Sequence, residues 1–89
     1  MEITVEISMY PLQEAYKPII IEFIQNVKSY DEIEVEVNPT ATHVYGEYDE
    51  VMRVLSAEIK SSFEKHKKCV VMMKVLNGNL KESLLRLNL

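Results

Sequence analysis

Ile3, Val5, Ile7 and Met9 alternate with Glu2, Thr4, Glu6 and Ser8, the period of two that marks a strand with one apolar face. Pro11 closes that run. Over 14–28, Tyr16, Ile19, Ile20, Phe23, Ile24 and Val27 recur at helical spacing, and Pro18 is tolerated if it falls in the first turn. Ile33, Val35 and Val37 alternate with Glu32, Glu34 and Glu36, a second strand whose glutamates suit an exposed face or edge. Asn38-Pro39 is a turn signal, so a third strand starts near Thr40, forms a hairpin with the second and is closed by Gly46. From Glu47 onward Tyr48, Val51, Met52, Leu55, Ile59 and Phe63 form another helical stripe. Acids open that segment and Lys65, Lys67 and Lys68 close it, as the helix dipole favours. The run CVVMMKVL predicts a fourth strand, Asn77-Gly78-Asn79 a turn, and LKESLLRL a short helix or extension.

The order β-α-β-β-α-β predicts an α+β, ferredoxin-like sandwich with a four-stranded antiparallel sheet. Right-handed crossovers place both helices on one face and leave the other open. Thr4, Glu6, Ser8, Glu34, Glu36, Thr40 and Thr42 are the candidates for that open face. The chain of 89 residues is expected to be one domain over 1–89, with its core in 2–76 and an extension over 77–89. So short a chain builds a marginal core, which makes self-association an expectation.

Charge narrows the partners. The net charge of -4, spread along the chain, gives no basic patch for nucleic acid. No apolar run is long enough to span a bilayer and the chain opens at once on a strand pattern, so neither a membrane segment nor a signal peptide is expected. The lone cysteine, Cys69, cannot form an internal disulfide and reads as a buried small apolar side chain in a cytoplasmic protein. His43 and His66 share no metal-ligand spacing with it. His66 reads as exposed, and Met9, Met52, Met72 and Met73 read as core fillers.

One stretch asks for more than a fold: NPTATHVYGEYDE, residues 38–50, carries threonines, a histidine and a tyrosine where a plain core strand carries valines. With ISMYPL at 7–12 it supplies two motifs, Ser8-x-Tyr10-Pro11-Leu12 and Thr42-x-x-x-Gly46-Glu47-x-Asp49-x-Val51-Met52. Together, in this element order and length, they resemble the YkoF-like family of small thiamine-binding proteins over roughly residues 2–76. The resemblance implies a cytoplasmic, non-catalytic binder of thiamine or its hydroxymethylpyrimidine moiety, requiring no cofactor. It also implies a sheet-to-sheet homo-oligomer, a dimer or a dimer of dimers. Just before the shared threonine, where many relatives carry a Met followed by a small residue, this chain has Thr40-Ala41.

Thiamine offers a thiazolium cation, a flat aminopyrimidine and a hydroxyethyl arm, so a receptor needs an aromatic or apolar slot, a few polar partners and some negative potential. The ligand-binding candidates are Ser8, Tyr10, Thr40, Thr42 and Tyr45, with Glu6 and Glu47 as possible partners of the cation or the amino group. Plainer roles compete: threonine is at home in any strand, and Glu47, Asp49 and Glu50 suit a helix N-terminus. An enzyme is a rival, but the only glycines are Gly46 and Gly78, too few for an anion loop, and no nucleophile–base pair stands out. An RNA-binding domain of the same strand order would carry central aromatics framed by basic residues. A regulatory or oligomerisation module without a thiamine ligand is the strongest alternative.

Overall fold

The structure, a computed structural model, describes residues 1–81. Six elements follow the expected order: β1 (Glu2–Pro11), α1 (Lys17–Lys28), β2 (Glu34–Val37), β3 (Thr42–Glu47), α2 (Tyr48–Lys65) and β4 (Cys69–Asn77). The strands form one antiparallel sheet in the order β2-β3-β1-β4, the ferredoxin-like arrangement. Ile3, Val5, Ile7 and Met9 point beneath the helices and are all buried. Ile19, Phe23 and Val27 of α1 and Val51, Val54 and Leu55 of α2 descend onto them. Each such side chain contributes about 1.5–3 kcal/mol by leaving water.

Helix α1 starts later than the apolar spacing alone suggests, at Lys17, because Pro18 belongs in the first turn, where a missing N–H costs nothing. Ser29 ends it, its N–H donating to the Asn26 carbonyl (3.2 Å) and the Tyr30 N–H after it to the Val27 carbonyl (3.3 Å). In α2, Asp49 and Glu50 occupy the first turn and Lys65 the last, the dipole-matched order read from sequence. Among the described residues no helix is long and apolar enough to cross a membrane.

Two expectations about faces need correction. Register pairs Val5 with Val44 and Ile7 with Thr42, so Thr42 lies on the helix-covered face, not the open one. The fully buried Val44 and the close-packed Gly46 decide this. A Cβ on Gly46 would sit 3.2 Å from Val51 Cγ2 and 3.4 Å from Ile33 Cγ2. His43 and Tyr45 take the open face instead, beside Glu6 and Thr4. The methionines also divide: Met9 is buried and Met52 packs against the core, but Met72 and Met73 are exposed on β4. Cys69 and His66 are half-buried, the former less enclosed and the latter more enclosed than expected.

The open face is also partly closed by the chain itself. After β4 the main chain turns at Gly78 (φ +96°) and crosses Thr4. The Thr4 hydroxyl donates to the Gly78 carbonyl (2.9 Å) and accepts from the Leu80 N–H (2.8 Å). Lys81 then reaches Glu34 on the far edge strand. Thr4 and Tyr45, both outward-facing, are consequently buried. The rest of the predicted C-terminal helix or extension, 82–89, lies outside the described residues.

Candidate ligand-binding site

The site arises from a mismatch in strand length. β1 has ten residues and β3 has six. The β2–β3 hairpin turns at Pro39 and Thr40, where the Asn38 N–H donates to the Ala41 carbonyl (2.9 Å), so pairing of β1 with β3 stops at Ile7 and Thr42. β1 runs on beside β4 to Pro11, leaving a notch between its last residues and the hairpin tip. The first turns of α1 cover that notch. The result is a cavity of about 540 Å³, within the range of small-molecule sites.

Hydrogen-bond alternation shows what the notch offers. Gly78 N–H to Glu2 O (3.0 Å) and Leu12 N–H to Lys68 O (2.8 Å) bracket the β1–β4 ladder, so the even-numbered residues of β1 turn their main-chain groups toward β4. Tyr48 N–H to Met1 O (2.9 Å) assigns the odd-numbered ones to β3. Met9 therefore aims its N–H and C=O at the gap past the end of β3, and forms no backbone bond there among the described residues. A donor and an acceptor, without a backbone partner among the described residues, stand side by side on the wall.

The surrounding chemistry is neutral. Ile7, Phe23, Ile20 and Ile24 supply apolar surface, and Tyr10, Leu12 and Tyr16, all exposed, belong to the same lining. Thr42 is buried in the wall and its hydroxyl makes no hydrogen bond among the described residues. Since no fully buried polar side-chain atom there lacks a partner, that hydroxyl opens to the cavity. Ser8 Oγ donates to the Thr40 carbonyl (3.2 Å) and ties the hairpin tip to β1. Among the described residues no charged side chain lines the cavity.

Of the seven residues singled out in the sequence, the cavity gathers Ser8, Tyr10, Thr40 and Thr42. The other three lie elsewhere. Glu6 is on the open face between His43 Nε2 (3.5 Å) and Lys74 Nζ (3.6 Å). Tyr45 is buried near the crossing tail, a long 3.4 Å hydrogen bond from its hydroxyl to Glu36, and desolvation followed by the Glu36 charge raises its pKa. Glu47 precedes α2 and binds the N-terminal ammonium at 2.9 Å, whose pKa the carboxylate raises. Sequence reasoning missed the Met9 peptide and the α1 wall; the unequal apolar runs of the first and third strands were the available signal. Among the described residues no cluster of His, Cys, Asp and Glu could hold a metal.

A largely apolar slot with a peptide edge and a hydroxyl is the kind of site that small-molecule-binding domains present. The sequence profile of the thiamine-binding protein family matches residues 5–83, and the chain belongs to that family. No curated protein matches. Among solved structures, a candidate thiamine biosynthesis/salvage protein from Thermotoga maritima is 22% identical over the whole of both chains, with a TM-score of 0.84. A hypothetical protein from Methanocaldococcus jannascii is 22% identical over 98% of this chain and 95% of its own, at 0.82. A protein from Streptococcus pneumoniae is 23% identical over all of both chains, at 0.73. At these identities the likeness carries the fold.

Proposed function

We infer that the protein binds thiamine, or its hydroxymethylpyrimidine moiety, without transforming it, and that the aminopyrimidine ring occupies the notch between β1 and the hairpin tip. The observation that carries the reading is the free main-chain N–H and C=O of Met9 on a wall that also holds the Thr42 hydroxyl. An aminopyrimidine presents a ring-nitrogen acceptor beside an amino donor, the complement of an unpaired strand edge. Family membership supports the choice of ligand.

The remaining groups follow from this orientation. With no carboxylate among the described lining residues, the thiazolium cation rests on the exposed rings of Tyr10 and Tyr16, where cation–π attraction is worth about 0.5–1 kcal/mol. Among the described residues the lining also holds no arginine or lysine, so a diphosphate gains nothing from them. Among the described residues nothing in the slot pairs a nucleophile with a base, which favours binding over catalysis. Self-association and a cytoplasmic setting belong to the same reading, the latter supported by the free Cys69.

Isothermal titration with thiamine, thiamine diphosphate and hydroxymethylpyrimidine tests it. Saturable binding of thiamine and hydroxymethylpyrimidine, with no gain from the diphosphate, is the expected result. A folded protein that takes up none of the three would overturn the reading and leave an oligomerisation module.

A further inference from the structure

Glu6 and His43 lie outside the cavity lining, yet they reach it through one side chain. His43 is on the open face of β3, directly opposite Glu6 of β1 and Glu36 of β2, and the Tyr45 ring of its own strand stacks 6.4 Å away. The imidazole Nε2 is 3.5 Å from Glu6 Oε2, and the other Glu6 oxygen is 3.6 Å from Lys74 Nζ on β4. Glu36 accepts from the Tyr45 hydroxyl, and Lys81 of the crossing tail is held by Glu34. On the other side of the ring, Nδ1 lies 2.7 Å from the Asn38 side-chain amide. Asn38 belongs to the cavity lining.

Hydrogen-bond chemistry fixes the direction of that contact. An ionised carboxylate only accepts, so Glu6 keeps the proton of a neutral imidazole on Nε2 and leaves Nδ1 as an acceptor. Asn38 must then turn its NH2 group to Nδ1, and its carbonyl oxygen is the end left for the cavity. A protonated imidazole reverses the order. Nδ1 then donates, the amide turns over to offer its oxygen, and the NH2 group becomes the free end. One proton on His43 thus exchanges an acceptor for a donor at the hairpin tip.

We propose that His43 is a positioning residue of the ligand site: by setting the direction of the Asn38 amide it makes the hairpin tip accept an amino donor when the imidazole is neutral and reject it when the imidazole is protonated. The proposal rests on the aminopyrimidine reading of the notch. An aminopyrimidine amino group carries two N–H donors; the Met9 carbonyl takes one, and the Asn38 oxygen takes the second. An imidazole ordinarily changes charge between about pH 5 and 8, so thiamine affinity falls as the pH drops through that window.

Calorimetric titration with thiamine at about pH 8 and about pH 5.5, on the wild type, His43→Gln and Asn38→Ala, tests it. Glutamine hydrogen-bonds without titrating. Alanine removes the amide, keeps the main-chain bond to Ala41 and leaves His43 free to titrate. Protonation of thiamine itself is common to all three proteins. Between the two pH values the wild type is expected to lose about 3–10-fold more affinity than either variant, the worth of one neutral hydrogen bond, with the circular dichroism of all three alike. Equal pH profiles for the wild type and His43→Gln would overturn the proposal alone. So would a wild-type dependence that persists in Asn38→Ala, since the imidazole would then act by its charge and not through the amide. No thiamine binding at either pH would overturn the functional reading and the proposal with it.

Discussion

Thr42 shows how much can hang on one methyl-for-hydroxyl exchange. A valine would fill the same place under the helices beside Ile7, so the proposed function assigns the hydroxyl to the ligand, not to the strand. Thr42→Val is expected to leave the melting temperature within a few degrees and to weaken hydroxymethylpyrimidine binding about 3–10-fold, the worth of one neutral hydrogen bond; calorimetric titration of both proteins checks it. Tyr16→Ala separates the two halves of the ligand, costing thiamine several-fold in affinity and hydroxymethylpyrimidine little, since only the former carries the cation. Gly46→Ala acts on folding alone. Its φ of +157° and the 3.2 Å approach to Val51 predict a loss of about 1–3 kcal/mol, read as a lowered urea midpoint.

Among the elements, the strands were the more legible in their existence and the less legible in their facing. Alternation in 2–9 and 32–37 named both strands, yet it could not say which side of THVYGE is covered, because Thr42, Val44 and Tyr45 are all compatible with burial and all three are buried. Pairing settled it: Val44 opposite Val5 puts the threonine inside, so the polar residue that drew attention in sequence belongs to the cavity and not to the open face. The notch was illegible for a related reason, since where β3 stops depends on a turn at Pro39 and Thr40 that sequence places only within a few residues. The crossing tail was equally hidden, though its anchor is specific. Thr4→Val keeps the shape and strips both hydrogen bonds, leaving a part-buried carbonyl and N–H without their partner at about 1 kcal/mol. Faster amide exchange at Leu80, with β1 amides still protected, is the expected signature.

At the scale of the whole molecule, the proposed ligand binding and the proposed self-association act on stability through different concentrations. A chain of 89 residues folds around a small core, so anything that binds only the folded state shifts its melting point visibly. Ligand at 100 times its dissociation constant adds about 2.7 kcal/mol, roughly 10–20 °C for a domain of this size. Self-association adds a dependence on protein concentration instead. Thr42→Val is expected to reduce the thiamine shift while leaving the dependence of melting temperature on protein concentration as in the wild type. Scanning calorimetry of both proteins at two protein and two thiamine concentrations decides it. A thiamine shift that itself grows with protein concentration would mean instead that the cavity is complete only in the assembled protein, and would tie the binding site to the interface.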